Sequence, residues 1–175
     1  DIEGNLISGS DRWGVAIYNS SPQNVVAGNR VGTDATGTFS IGNATGGVYV
    51  GSSGSMDNRI GSNNDGNSDE LEGNLVSSNG GVGVYVGSGA NSTQIAHNYI
   101  GTDRTGTLDL GNGYQGIFLQ ANNGTIEDNL ISGNDANGIW INGSGNNGTG
   151  NIIRRNLIGV RAAGDAVLGN GINGM

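Results

Sequence analysis

The chain contains no cysteine, no lysine, a single proline (Pro22) and a single histidine (His97). Without cysteine it can build neither a disulfide scaffold nor a thiolate metal centre, and the redox compartment stays open. Seven arginines stand against fifteen acids, for a formal net charge of -8, which argues against phosphate-rich nucleic acid as a partner. No apolar run approaches the ~20 residues that a membrane-spanning helix needs, so no membrane insertion is expected. Helices are disfavoured throughout, because 36 residues are Gly and 26 are Asn, and no stretch of useful length has a period of 3.6. No nucleophile elbow, phosphate loop or zinc signature is present.

What the chain does have is repetition. An apolar residue, two variable positions, an Asn and one or two apolar residues recur at Ile2 to Ile7, Val26 to Val31, Leu71 to Val76, Ile95 to Ile100, Ile126 to Ile131 and Ile153 to Ile158. A second phrase, Gly followed by apolar-variable-apolar, alternates with it at Gly14, Gly47, Gly83, Gly116 and Gly138, with a partial copy from Gly171. The phrase asparagines are Asn5, Asn29, Asn74, Asn98, Asn129 and Asn156, spaced by 24, 45, 24, 31 and 27 residues, in or near the range of solenoid repeats. Each apolar-variable-apolar triplet has period 2 and gives a short strand with one apolar face. Such a strand cannot bury that face alone. Stacking coil on coil gives every strand a parallel neighbour at ~4.8 Å and encloses a continuous core. Asn at one place per coil is a turn residue that tolerates left-handed backbone and satisfies nearby backbone groups. The boundary between Gly51 and Asn74 can be drawn in two ways, since Ile60 could begin a coil of its own or close the long one.

These phrases resemble the right-handed parallel β-helix repeats of the pectate-lyase-like superfamily over essentially the whole chain. The inserted Gly32 to Thr38 and Gly101 to Thr107, each followed by a Gly-Asn pair (Gly42-Asn43 and Gly111-Asn112), are similar to repeats of large secreted bacterial surface proteins, with Gly159 to Asn170 as a degraded third copy. The expectation is an all-β chain, a right-handed parallel β-helix of about six coils in one domain spanning 1–175. The start at Asp1 and the broken last coil suggest a piece of a longer extracellular or cell-surface bacterial protein. The resemblance identifies architecture more than activity, since that superfamily holds lyases, hydrolases, epimerases, tailspikes and adhesive shafts.

Aligned by its Gly, the second phrase gives two inward columns: Val15, Val48, Val84, Ile117, Ile139 and Ile172, and Ile17, Val50, Val86, Leu119 and Ile141. The outward residue between them reads Ala16, Tyr49, Tyr85, Phe118, Trp140 and Asn173. Tyr49, Tyr85, Phe118 and Trp140 therefore form an aromatic strip able to stack on sugar rings or anchor a partner. Alternatively the inserted loops fold over the strip, or the rings simply stabilise the sheet.

Around the phrase Asn, the two preceding positions collect charge in the last three coils: Glu3, Ala27, Glu72, Ala96, Glu127 and Arg154, then Gly4, Gly28, Gly73, His97, Asp128 and Arg155. Glu127 should lie beside Arg154, and Asp128 between His97 and Arg155. Those five side chains suit binding an acidic sugar or abstracting a proton from one, and equally suit a ladder of exposed ion pairs worth about 0–1 kcal/mol each. The resemblance implies clustered acids for calcium and an Arg base in a lyase, but no such motif matches here. In the polar stretch Ser62 to Glu70, Asn63, Asp65, Asn67, Asp69 and Glu70 offer oxygen ligands around Gly66, a candidate Ca²⁺ loop without EF-hand spacing. Asp34 and Asp103 are read as Asx-turn residues.

The function expected is a structural or adhesive segment that engages polysaccharide through the strip. One alternative is a polysaccharide lyase, hydrolase or epimerase working on an acidic glycan at Glu127, Asp128, Arg154, Arg155 and His97. Another is a filament subunit stacking end to end with copies of itself.

Overall fold

A computed structural model describes residues 4–145 and 147–175. Ile2 and Glu3 of the first phrase lie outside the described residues. The chain is a parallel β-helix. Its strands fall into three sheets that the chain visits in rotation, every named pairing being parallel. Sheet 1 stacks Leu6–Ile7, Arg30–Val31, Leu75–Val76, Tyr99–Ile100, Leu130–Ile131 and Leu157–Ile158. Sheet 2 stacks Trp13–Ile17, Gly46–Val50, Val82–Val86, Ile117–Leu119 and Ile139–Ile141. Sheet 3 stacks Val25–Val26, Arg59–Gly61, Gln94–Ala96, Thr125–Glu127 and Ile152–Arg154. The Asn phrase is thus the end of a sheet 3 strand, a turn, and a sheet 1 strand.

Period 2 sets the core. Val48, Val50, Val84, Val86, Ile117, Leu119 and Ile139 from sheet 2 are buried, and they meet Ile60, Ile95 and Ile126 from sheet 3 and Val31, Val76, Ile100 and Ile131 from sheet 1. Each such side chain contributes about 1.5–3 kcal/mol by leaving water. The Gly that opens the second phrase is demanded by this packing. A Cβ on Gly47 would sit 2.5 Å from Val76 Cγ1 and 3.0 Å from Asn79 Nδ2, and one on Gly116 would sit 2.7 Å from Ile131 Cγ2 and 2.8 Å from Asn134 Nδ2.

Two asparagine ladders run up the coil. In the first, Asn29 donates its backbone N–H (3.0 Å) and its Nδ2 (2.9 Å) to Asn74 Oδ1. The same pair of bonds links Asn5 to Asn29, Asn74 to Asn98, Asn98 to Asn129 and Asn129 to Asn156. The second ladder, between sheets 1 and 2, joins Asn43, Asn79, Asn112, Asn134 and Asn170 in the same way.

Two parts of the repeat alignment are corrected. Ile60 pairs with Val26 on one side and Ile95 on the other, so Ile60, not Leu71, holds the core position of the long coil. Leu71 is 76% exposed, on the short helix Asp69–Glu72 within an excursion that leaves the coil after Gly61 and rejoins it at Asn74. At the other end, Gly138 and Ile139 donate their N–H groups to the carbonyls of Asn173 and Gly174, as Gly116 and Ile117 do to Asn137 and Gly138. Gly174, rather than Gly171, therefore continues the glycine column. Ile172 is 67% exposed instead of inward, and Asn173 follows Asn137 instead of Trp140.

The three inserted segments are hairpins, closed by antiparallel bridges at Thr33–Ser40, Thr102–Asp109 and Val160–Val167. They occur in alternate coils, and the intervening coils carry Ser8, Ser77 or Ser132 instead. Each of these hydroxyls donates to the carbonyl at the base of the next hairpin, at Thr33 (2.7 Å), Thr102 (2.7 Å) and Val160 (2.8 Å). The hairpins bridge the plain coils and touch one another, Arg104 N–H donating to the Gly37 carbonyl and Ala162 N–H to that of Gly106, both at 3.0 Å. The working repeat is therefore a pair of coils.

Candidate functional site

The aromatic strip is in register on sheet 2, where Tyr49 pairs with Tyr85, Tyr85 with Phe118 and Phe118 with Trp140. Tyr85–Phe118 and Phe118–Trp140 are stacked, each with centroids 4.8 Å apart and planes at 16°. Phe118 is thus stacked between Tyr85 and Trp140, with one ring against each of its faces. Tyr49 meets Tyr85 edge-on at 5.3 Å. The hairpins do not cover this strip. They pack on sheet 1, with the Gly37 turn against Leu75 and the Gly106 turn against Leu130 and Tyr99. Trp140 is 44% exposed, and Tyr49, Tyr85 and Phe118 are half-buried. Burial, with the neighbouring Tyr49, raises the Tyr85 phenol above its ordinary pKa, and its hydroxyl donates to Gln120 Oε1 at 2.7 Å.

Sequence reasoning missed Trp13, whose ring fills the place left by Ala16, 5.2 Å from the Tyr49 ring. Strict alternation puts Trp13 on the inward face with Val15. The pleat shifts at Gly14, where an added Cβ would meet Val31 and Asn43, so Gly14 and Val15 face inward in succession and Trp13 turns outward over Gly46.

The charged residues assemble as their spacing predicts. Glu127 pairs in register with Arg154, and its Oε2 accepts from Arg154 Nε at 2.7 Å and Arg155 Nη2 at 2.8 Å. Arg155 also grips Asp128 in bidentate fashion, at 2.8 and 2.7 Å. His97 Nε2 lies 3.9 Å from Asp128 Oδ2, and Asn64 Nδ2 donates to the same oxygen at 3.2 Å. Burial works to raise the Glu127 carboxyl, but the Arg154 hydrogen bond and the two guanidinium charges hold it below its ordinary value. Asp128 is held down chiefly by Arg155, against a smaller effect of burial. His97, Asp128 and Arg155 all adopt left-handed backbone, with φ of 57°, 56° and 55°, at the turn position that Gly28 fills with φ 69°.

In the candidate calcium loop, side chains turn toward backbone rather than toward a common point. Asp65 accepts from Asn67 N–H at 2.8 Å and Asn63 Nδ2 at 3.0 Å, and both bonds lower its pKa. Asp69 accepts from Gly66 N–H at 3.0 Å and from the Ser62 hydroxyl, while Glu70 is exposed. Among the described residues no three His, Cys, Asp or Glu side chains converge as a metal site. Asp34 and Asp103 organise their hairpins: Asp34 Oδ1 accepts from Thr38 and Phe39 N–H at 2.9 and 3.0 Å, and Asp103 Oδ1 from Thr107 and Leu108 N–H at 2.9 Å.

A concavity of about 1000 Å³ lies on the outer face of sheet 1. Its floor is Arg30, Leu75, Tyr99, Leu130 and Leu157; Arg104 and Ala162 of the hairpins form one wall and Ser68 to Gly73 the other. The floor column was readable as the residue after each phrase Asn, but the groove was not, because its walls come from segments outside the repeat. No family model, no curated protein and no solved structure matches the chain.

Proposed function

We propose that the chain is a rigid, non-catalytic segment of an extracellular bacterial protein, a right-handed β-helix of the pectate-lyase-like kind, that holds polysaccharide on the aromatic face of sheet 2. The observation that carries this reading is a row of rings in register on sheet 2, with the first two hairpins packed on sheet 1 and the third bonded to the second. The exposed part of this aromatic row, Trp140 above all, suits sugar C–H groups, and Gln120, whose Oε1 is taken by Tyr85, keeps its amide N–H groups for sugar hydroxyls. The charged cluster supports a non-catalytic role. A general acid at neutral pH needs a raised carboxyl pKa, whereas Glu127 and Asp128 are both lowered and bonded to guanidinium.

A glycan-array screen with a Trp140→Ala/Phe118→Ala double variant tests this reading. Wild-type protein is expected to bind a neutral glycan that the double variant releases about tenfold more readily, with no new reducing ends on the bound glycan. Equal binding by both proteins overturns the strip as the platform, and cleavage of the glycan establishes an enzyme instead.

A further inference from the structure

We propose that the groove over sheet 1 is a second binding site, separate from the aromatic strip, for a linear sugar or polyol chain bearing anionic groups. The three hairpins and the excursion from Ser62 to Gly73 all border this one face. The hairpins leave from the C-terminal ends of sheet 1 strands, and the excursion from Ser62 to Gly73 returns to the N-terminal end of Leu75–Val76. In a solenoid, insertions that gather on one face build a binding surface, since the coil itself does not require them. The rim also carries His97, Asp128 and Arg155, three successive non-glycine residues in left-handed backbone. Backbone held in that region at adjacent turns is costly and concentrates where side chains serve a purpose.

The chemistry of the occupant follows from the charges left over after internal pairing. The chain carries a net charge of -8 and only seven cations apart from its histidine, yet three of them, Arg30, Arg104 and Arg155, line this groove. Arg155 is neutralised by Glu127 and Asp128, and Glu72, on the same side of the groove, by Arg59 at 2.8 Å. Among the described residues Arg30 and Arg104 meet no carboxylate. Arg30 donates one N–H to the Ala35 carbonyl at 2.7 Å, and the Arg104 side chain makes no hydrogen bond among the described residues. Glu70, on the far wall, is the one lining acid that makes no ion pair among the described residues. Two guanidiniums and the half-buried Tyr99 ring, lining the same groove, combine bidentate capture of an oxyanion with a surface for a sugar ring. The groove extends from Gly4 to Leu157 across five strand spacings, about 24 Å, and so admits one extended chain. A peptide strand is disfavoured as occupant. The floor amides of Arg30, Leu75, Tyr99, Leu130 and Leu157 are all bonded from coil to coil, leaving no ladder for a peptide backbone to join.

Titration calorimetry with polygalacturonate, heparin, poly(glycerol phosphate), poly-glutamate and neutral dextran tests the proposal, using wild type, Arg30→Ala/Arg104→Ala and the Trp140→Ala/Phe118→Ala variant. One or more of the first three polymers should bind wild type with an affinity that falls as salt rises. The double arginine variant should lose about tenfold or more at an unchanged melting temperature, and the aromatic variant should keep that affinity. Polymers that bind identify the anion as carboxylate, sulfate or phosphodiester. Absence of binding by all three, undiminished binding by the arginine variant, or equal binding of dextran overturns the site. Poly-glutamate binding as tightly as the anionic glycans overturns the sugar class. Loss in the aromatic variant alone assigns the binding to sheet 2, so failure of this proposal and failure of the strip are told apart.

Discussion

A single Asn of the first ladder performs several tasks at once. Asn98 Oδ1 accepts both the N–H and the Nδ2 of Asn74, while its own Nδ2 donates to Ile60 O at 2.9 Å, Ala96 O at 3.0 Å and Asn129 Oδ1 at 3.0 Å. Asn98 and Asn74 are buried, so water cannot replace these bonds. Each group left unsatisfied costs about 1–3 kcal/mol, and Asn98→Ala orphans more than one. We expect Asn98→Ala to lower unfolding free energy by about 3 kcal/mol in urea titration, and Asn5→Ala, on an exposed residue at the first rung, by about 1 kcal/mol or less. Equal losses at the two positions would show that burial does not govern the ladder. This ladder was legible in the sequence because its Asn stands inside an apolar phrase. The second was not, because Asn79 and Asn134 stand three residues after their sheet 1 strands whereas Asn43 and Asn112 stand twelve residues after theirs, beyond a hairpin, so no fixed spacing marks the column.

Between elements, an ionic clasp joins the strand and turn of Thr125–Glu127 and Asp128 to those of Ile152–Arg154 and Arg155. Folding depresses the Glu127 and Asp128 pKa values below their ordinary 4.5 and 3.8. Groups depressed in this way stabilise the fold fully above the unfolded pKa, and the contribution fades as pH falls through that value toward the folded one. Stability should therefore fall from about pH 5 downward. Glu127→Gln should remove about 1–2 kcal/mol at neutral pH, a figure kept small because both arginine side chains are more than half exposed, and should flatten the acid-side slope. Urea midpoints across that range check both effects, and an unchanged slope would mean that the clasp is not coupled to folding. Sheet 2 was readable, since its two-apolar triplet leaves one choice of face, whereas sheets 1 and 3 meet within the single Asn phrase and were not told apart. Leu71 misled because Leu-Glu-Gly-Asn copies the phrase by composition while the chain there belongs to a helix, and only the pairing of Ile60 reveals the phase. Gly171 misled similarly: Gly-Ile-Asn mimics the second phrase three residues before Gly174 takes the column.

Across the whole molecule, nearly every hydrogen bond that fixes the fold joins one coil to the next, so stability is a sum of interfaces between neighbours with no long-range closure. Central strands have neighbours on both sides and bury Val84, Ile100 and Ile117 fully. Outer strands have one neighbour in each sheet, and their inward residues Ile7, Ile153 and Ile158 are only partly buried. Opening an outer coil breaks one interface, whereas opening a central coil breaks two. Amide exchange should therefore be graded, slowest in Val82–Val86 and Ile117–Leu119 and faster by orders of magnitude in Val25–Val26 and Ile152–Arg154. The hairpins add a second coupling, since each contacts the next across a plain coil through the Gly37–Arg104 and Gly106–Ala162 bonds. If that coupling dominates, coils should exchange in pairs, with Leu75–Val76 and Tyr99–Ile100 opening together. Hydrogen–deuterium exchange resolved to single amides distinguishes the cases. A smooth gradient makes the single coil the cooperative unit, a stepped gradient makes it the coil pair, and uniform protection from end to end would contradict a fold held only by neighbours.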